Sequence, residues 1–165
     1  MTMNELPASV RTLFKTAGWH PGRNTTVSTK ILTTHPAAIV LAEFGGLKVG
    51  EAGDGEECAK DDVNFHEIWP VNSIIPIWSK LLSKELIGIT EVHNGHCEMY
   101  IDDTGRCFGL SLIHDAFYFE GDSFSEAIEN MLLGRRSRPM LRPDQKSVGL
   151  YGETFTAEHA AVYRY

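Results

Sequence analysis

The chain has 165 residues, of which 42% are hydrophobic and 22% charged, and this composition is typical of one folded domain with one hydrophobic core. It excludes an intrinsically disordered chain, which is poorer in apolar residues. The formal net charge of −7 disfavours nucleic acid as a direct ligand, because phosphate binding depends on a surface rich in Lys and Arg.

Two helices are predicted near the N-terminus. Residues 6–17, LPASVRTLFKTA, carry apolar side chains at helical spacing, and Gly18 is expected to end this helix. A second helix is predicted within residues 35–46, HPAAIVLAEFGG, where Pro36 suits the first turn and Gly45 the C-terminal cap. The Gly45-Gly46 pair is expected to let the chain reverse directly into Leu47, Lys48 and Val49.

The hexapeptide GWHPGR, residues 18–23, follows the first helix. Its Pro-Gly pair predicts a type II turn, and Trp19 is expected to pack across the helix end. In the alternative interpretation, Arg23 stacks on Trp19 or pairs with a carboxylate such as that of Glu43, and so organises a surface used for binding.

Residues 50–62, GEAGDGEECAKDD, predict an exposed and mobile segment, called the acidic loop below. Residues 43–67 hold eight acids against two lysines, whereas residues 135–146 hold five Lys and Arg against one Asp. Such blocks are typical of solvated loops, and an acidic block can also bind a basic partner. The candidate partner-contact residues are Glu51, Asp54, Glu56, Glu57, Asp61 and Asp62 in the acidic loop, with Trp19, Arg23 and Glu43 near the hexapeptide.

After the acidic loop, a short strand is predicted at residues 63–66. A helix is expected from about Pro76 to Lys84, because a proline restricts the residue before it and disfavours a helix that begins earlier.

The dipeptide Asn94-Gly95 favours a two-residue type I′ hairpin turn. A second turn at residues 103–105 leads into a strand at residues 106–112, which gives a meander of three antiparallel strands. The predicted cross-strand pairs are Val92 with Cys97, Thr90 with Met99 and Gly88 with Ile101.

A last helix is predicted within GDSFSEAIENMLLG, where Ser123 and Glu126 match a capping box and Gly134 ends the helix. Helices on both sides of an antiparallel meander, without strand–helix–strand alternation, indicate an α+β fold. We divide the chain into a domain of residues 1–136 and a C-terminal extension, residues 137–165, packed on the same domain.

His93 and His96 flank the hairpin turn and could share a metal ion with Cys97. In the predicted register the two imidazoles face each other, but Cys97 points to the opposite face of the ribbon. Only two ligands then converge, so no metal is expected. A metal-dependent enzyme that uses His93 and His96 stays as a less favoured alternative.

Common enzyme signatures, such as GxGxxG, a P-loop, GxSxG and HExxH, are absent from the sequence. We therefore expect that the protein is not an enzyme and binds no cofactor. The longest apolar runs are far shorter than the roughly 20 residues of a membrane-spanning helix. The three cysteines show no CxxC spacing, and the first residues lack the pattern of a secretory signal. We therefore expect a cytoplasmic protein that does not bind membranes.

Four segments resemble, in order, those of the SUKH immunity-protein superfamily, and the similarity is closest to its third subfamily. The segments are GWHPGR at 18–23, LAEFGGLKV at 41–49, GHCEMYIDDTGRCFG at 95–109 and GDSFSEAIENMLLG at 121–134. The resemblance covers residues 8–136, with a shorter interval between the first two segments and little similarity at residues 68–87. It implies an α+β fold with a central, mostly antiparallel, curved sheet and helices packed around it.

The resemblance also implies a function. Bacterial members of the superfamily bind and neutralise a cognate toxin domain, often a nuclease, from a polymorphic or contact-dependent toxin system. The expected partner is therefore a protein toxin domain, and the net charge of −7 favours a basic one. The resemblance brings no catalytic residues or cofactor. Other branches include fungal cell-wall regulators and viral proteins, so a non-enzymatic regulatory or scaffold protein is the alternative. The sequence leaves the oligomeric state open.

Overall fold

The computed structural model describes residues 5–165, and within them it contains four helices and nine strands. The helices are α1 (Ala8–Thr16), α2 (Pro36–Phe44), α3 (Ile74–Leu82) and α4 (Phe124–Leu133). The strands are β1 (Lys48–Val49), β2 (Val63–Ile68), β3 (Ile87–Val92), β4 (Cys97–Ile101), β5 (Cys107–Ser111), β6 (Phe117–Gly121), β7 (Arg138–Met140), β8 (Ser147–Leu150) and β9 (Glu153–Thr156). Within residues 5–165, no helix is both long and apolar enough to cross a bilayer.

Strands β1 to β7 form one antiparallel sheet in which every strand pairs with the next strand along the chain. The sheet is curved but does not close. Strands β8 and β9 form a separate hairpin. The predicted α+β class is confirmed, and the predicted three-stranded meander is the central part of the sheet, β3 to β5.

Helices cover both faces of the sheet. On one face, α1, α2 and α4 pack on the strands through a cluster of phenylalanines whose ring centroids lie 5.1 to 5.9 Å apart. On the other face, Trp78 of α3 stacks on Phe117 of β6 at 4.6 Å. These aromatic side chains are buried, and their removal from water is a large part of what holds the layers together. The Phe cluster consists of Phe14, Phe44, Phe65 and Phe124.

The register of the β3–β4 hairpin agrees with the prediction near the turn and departs from it farther away. Asn94 and Gly95 have φ of 53° and 80°, as a type I′ turn requires. The pairs Val92–Cys97 and Thr90–Met99 are found as predicted. The predicted pairing of Gly88 with Ile101 is wrong: Gly88 lies opposite Tyr100, because a bulge between Gly88 and Thr90 adds one residue to β3.

The third helix begins earlier than predicted. It starts at Ile74, two residues before Pro76, and ends at Leu82, not Lys84. A proline in the first helical turn is tolerated, because the amides of that turn have no acceptor within the helix. The side chain of Asn72 satisfies one of them by accepting from the Ile74 amide at 3.0 Å.

The other helix ends follow the sequence more closely. Ser123 Oγ accepts from the amide of Glu126 at 3.2 Å, as the capping box predicts, but the Glu126 carboxylate bonds the amide of Asp122 instead of that of Ser123. Gly45 is the C-terminal cap of α2, as predicted. Its φ is −51°, however, and the positive φ is found at the next residue, Gly46.

The segment after α4 joins the same sheet. Strand β7 pairs with β6, although the sequence pattern predicted neither strand. The β8–β9 hairpin packs on this sheet through Val148 and Phe155. Both side chains belong to a buried hydrophobic cluster that also contains Tyr118 of β6. The division of the chain into residues 1–136 and 137–165 stays a prediction.

Candidate binding surface

The hexapeptide GWHPGR caps the end of α2. The guanidinium of Arg23 donates two hydrogen bonds, to the carbonyl oxygens of Glu43 and Gly45, both at 2.7 Å. The amide of Thr25 donates to the carbonyl oxygen of Ala42, also at 2.7 Å. Since the last carbonyls of a helix have no donor within it, these bonds replace the missing partners. Two of the four sequence segments that carry the family resemblance, GWHPGR and LAEFGGLKV, are therefore one structural unit.

Trp19 connects the same segments through side chains. Its indole Nε1 donates to Oε1 of Glu43 at 3.0 Å, and its ring packs against the core between α1 and α2. The amide of Arg23 donates to the carbonyl of His20 at 3.2 Å, which agrees with the predicted turn. Trp19, Arg23 and Glu43 are brought together, and each is only partly exposed because it holds α2 in place.

The acidic loop is anchored to the end of α4. The amides of Glu57 and Cys58 both donate to the carbonyl oxygen of Gly134, at 2.8 and 2.9 Å. A Cβ atom on Gly134 would lie 2.4 Å from the carbonyl oxygen of Cys58 and 2.7 Å from Cα of Gly55. This close approach requires glycine. The acidic loop is exposed, as predicted. The sequence also predicted that it is mobile, whereas in the structure it is bonded to the end of α4.

The acidic and basic blocks of the sequence meet at this anchor. Nε of Arg135 lies 2.8 Å from Oε2 of Glu56, and the main-chain amide of Arg136 donates to Oε2 of Glu57 at 2.7 Å. The Arg136 guanidinium lies 3.4 Å from the Glu153 carboxylate. Of the predicted contact residues, Glu56 is therefore partly neutralised by Arg135, whereas Glu57 is held by a main-chain amide and has no cationic partner among the described residues.

The remaining carboxylates of the acidic loop fall into three groups. Glu51 and Asp54 are exposed, and within residues 5–165 their side chains make no hydrogen bond or ion pair. Asp61 is half-buried, and its Oδ1 lies 2.8 Å from Nδ1 of His93. Asp62 is only 7% exposed, so little of its side chain is open to a partner. It directly precedes β2, and its carboxylate is 3.9 Å from Lys48 Nζ.

The histidines of the hairpin are close together, with ring centroids 5.4 Å apart. Nδ1 of His93 is already bonded to Asp61, and Cys97 contacts Tyr118. In the part of the chain that the structure describes, residues 5–165, no group of three or more His, Cys, Asp or Glu side chains is arranged to hold a metal ion. The structure therefore adds no third ligand to the two histidines.

A cavity of about 230 Å³ lies beneath the acidic loop. Its walls come from the acidic loop, the β3–β4 hairpin, β6, the end of α4 and the β8–β9 hairpin. The exposed Ala59 and the partly exposed His93 and Arg135 are at its rim, so the cavity opens to solvent. Tyr118, Tyr151 and Glu120 form much of its interior.

Glu120 is the buried acid of this cavity. Its side chain is 5% exposed, and Oε2 accepts a hydrogen bond from the Ser137 hydroxyl at 2.7 Å. Burial raises the pKa of the Glu120 carboxyl to about 7, and the negative charge of Asp61 adds to this effect while the Ser137 hydrogen bond opposes it. Burial likewise raises the pKa of the Cys58 and Cys97 thiols, which disfavours reactive thiolates.

Sequence reasoning identified the acidic loop but not the cavity. Glu120 and Tyr118 both lie in β6, a strand that the sequence pattern did not predict. The walls of the cavity also come from five separate segments of the chain. One local signal could have suggested a buried acid: Glu120 directly follows three aromatic residues in the segment FYFEG. Aromatic residues are often buried, whereas acidic residues seldom are, so this neighbourhood is unusual.

The curved antiparallel sheet, with helices on both faces, defines a single-domain α+β protein. A model of the SUKH-3 immunity protein family matches residues 6–134, and the chain belongs to this family. The resemblance to the third SUKH subfamily is thereby confirmed, and membership supports an immunity role in which the partner is a cognate toxin. Neither the comparison with curated proteins nor that with solved structures gave a match.

Proposed function

We propose that this protein binds a cognate toxin domain of a polymorphic or contact-dependent toxin system in the cytoplasm and neutralises it by occlusion, without catalysis. The observation that carries this proposal is the match of residues 6–134 to the SUKH-3 immunity protein family. A nuclease is the toxin class that we favour. Its basic substrate groove would be attracted to a chain with a net charge of −7.

The acidic loop is the part of the surface that we assign to the toxin. Glu51 and Asp54 are the exposed carboxylates that a basic partner would meet first. Glu56 can join the interface if a cation from the toxin competes with Arg135, and Glu57 can join it while it keeps its hydrogen bond from the Arg136 amide. Asp61 lies farther in, at the cavity rim, and Asp62 is assigned a structural role.

Trp19, Arg23 and Glu43 form a second patch whose exposed parts could be covered by the same partner. Their side chains are engaged in capping α2, so we assign them mainly to positioning the surface. A partner contact there would use the outer edge of the Trp19 ring, since aromatic side chains are frequent anchors in interfaces.

Co-expression with the toxin domain encoded beside its gene tests the proposal. The expected result is survival of cells that otherwise die, and co-purification of the two proteins at equal amounts. If cells die with every neighbouring toxin domain and none co-purifies, the immunity proposal fails and a regulatory or scaffold role becomes the better account. Gene neighbourhood gives an independent check, because a scaffold protein need not be encoded beside a toxin.

A further inference from the structure

The cavity beneath the acidic loop holds a carboxylate without a cation. Within residues 5–165, no basic side chain lies within ion-pair distance of Glu120, and its carboxylate has one hydrogen bond, from Ser137. Burying a carboxylate with so few partners is costly. Its position inside an open cavity means that a ligand can supply the missing partner.

The charged and titratable groups around Glu120 come from every wall. Asp61 and Cys58 belong to the acidic loop, His93 and Cys97 to the hairpin, Tyr118 to β6, Arg135 to the end of α4 and Tyr151 to the β8–β9 hairpin. Arg135 is already held between Glu56 at 2.8 Å and Glu129 at 3.3 Å, and His93 is bonded to Asp61. The cavity thus presents two carboxyl groups, Glu120 and Asp61, to whatever enters it.

The walls of the cavity suit an aliphatic chain. Val92, Met131 and Leu150 contribute apolar surface, and the rings of Tyr118 and Tyr151 add broad aromatic faces. Lysine and arginine side chains combine an apolar stem with a cationic head, and their stems pack well against apolar and aromatic surface. A cavity of about 230 Å³ has room for one such side chain.

We propose that this cavity receives a lysine or arginine side chain of the toxin domain, whose cationic head pairs with Glu120 and Asp61 while its stem lies between Tyr118 and Tyr151. This inference rests on the proposed function and assigns one specific contact to it. Ser137, Leu150 and Tyr151 follow the residues matched by the family model, so part of this pocket lies outside the matched range.

Proton exchange is a consequence of this contact. Burial raises the pKa of Glu120 to about 7, so part of the free protein carries a neutral carboxyl at neutral pH. A cation placed beside this group favours its charged form, and binding then releases a proton. The affinity for the cationic side chain is expected to increase as pH rises through 7.

The first experiment uses agmatine, which carries a guanidinium at one end of a four-carbon chain and an ammonium at the other, and it does not require the toxin. Titration monitored by amide chemical shifts should perturb residues of the cavity walls, with half-saturation on the order of 10 mM for a ligand of this size. The neutral analogue 1-pentanol should cause no matching shifts. Agmatine that binds elsewhere, or not at all, would overturn the assignment.

The second experiment uses variants and the toxin domain. Glu120→Gln keeps an acceptor for Ser137 but removes the charge, and Ala59→Trp places a bulky side chain at the rim without touching the interior. Each is expected to weaken toxin binding by at least about tenfold and to abolish the agmatine shifts, whereas the exposed control Glu158→Gln stays within about twofold. Wild-type affinity in both variants would overturn the inference. If the wild-type protein binds no neighbouring toxin, the proposed function fails, and the agmatine titration still decides whether the cavity takes a cationic chain.

Discussion

Nε of Arg135 lies 2.8 Å from Oε2 of Glu56, and this ion pair joins the acidic loop to the segment that follows α4. The two residues are 79 positions apart in the sequence and belong to blocks of opposite charge. Because Arg135 partly neutralises Glu56, the carboxylates of the acidic loop that are most available to a partner are the exposed ones without a hydrogen bond or ion pair among the described residues, Glu51 and Asp54.

Reversal of these two free charges should slow association with the toxin domain. The double variant E51K/D54K is expected to lower the association rate constant about tenfold at low ionic strength, because long-range attraction to a basic partner is lost. The difference should shrink at high salt, where exposed charges are screened. Stopped-flow mixing with the toxin domain measures both effects.

The control for this experiment is D122K/E158K, which changes the net charge equally. Asp122 lies at the opposite end of α4 from the acidic loop, and Glu158 follows β9; both side chains are exposed. If both double variants slow association equally, the net charge and not the acidic loop steers the encounter.

Gly134 should be required for anchoring the acidic loop. Gly134→Ala places a methyl group 2.4 Å from the carbonyl oxygen of Cys58, so the loop must move away from the helix end. Gly152→Ala is a matched control, because Gly152 also has a φ of 70° but nothing lies within 4 Å of the added atom. The control is expected to cost about 1 kcal/mol in the free energy of unfolding, and G134A at least about 2 kcal/mol more. Equal costs, measured by urea denaturation, would contradict the anchoring.

Arg23 should stabilise the fold through its two bonds to the end of α2. Arg23→Ala is expected to lower the free energy of unfolding by about 2 kcal/mol, because two carbonyl groups lose a charged donor. Arg164→Ala removes one long contact of 3.4 Å and should stay within about 0.5 kcal/mol of the wild type. If R23A lowers the free energy of unfolding as little as R164A does, Arg23 does not stabilise the end of α2, and a role in partner binding becomes the better explanation for this residue.

The buried Glu120 should leave a signature in the pH dependence of stability. A carboxyl whose pKa is raised to about 7 in the folded state takes up a proton on folding, so it favours folding at low pH. This contribution is fully present below the pKa of the unfolded chain and is lost as pH rises through 7. Between pH 5 and 8, the wild type is therefore expected to lose about 2 to 3 kcal/mol relative to Glu120→Gln. Parallel stability curves for the two proteins would contradict the assignment.

Local patterns predicted the elements whose determinants are adjacent in sequence. The Asn94-Gly95 dipeptide indicated the central hairpin, because two residues with positive φ select that turn. Ser123 and Gly134 marked the two ends of α4 for similar reasons. Both features depend on backbone geometry that a few neighbouring residues decide.

Other features depend on contacts between distant residues and could not be predicted in the same way. The bulge at Gly88 alters the pairing with β4, and no turn signal marks it; Cβ on Gly88 would lie 2.6 Å from Cβ of Ile68 on the neighbouring strand. Strand β6 was missed because residues 116–119, AFYF, form a short apolar run without alternation, and such a run does not distinguish a buried strand from a buried helix.

The candidate site was predicted in part. The order of residues in the sequence showed where the acidic residues are concentrated. It does not reveal which of their carboxylates form ion pairs or hydrogen bonds in the fold. The structure separates the exposed Glu51 and Asp54 from the buried Asp62 and from the pair of Asp61 with His93. The carboxyl group of Glu120 enters the site only because β6 passes beneath the acidic loop.

The most direct test of the account is a titration of the purified toxin domain with this protein while the toxin's activity is measured. Neutralisation by occlusion predicts that activity falls linearly and reaches its minimum at about one immunity protein per toxin, when concentrations exceed the dissociation constant. Full toxin activity in the presence of an excess of folded protein would contradict neutralisation, and complete loss at a small fraction of one equivalent would contradict a non-catalytic mechanism.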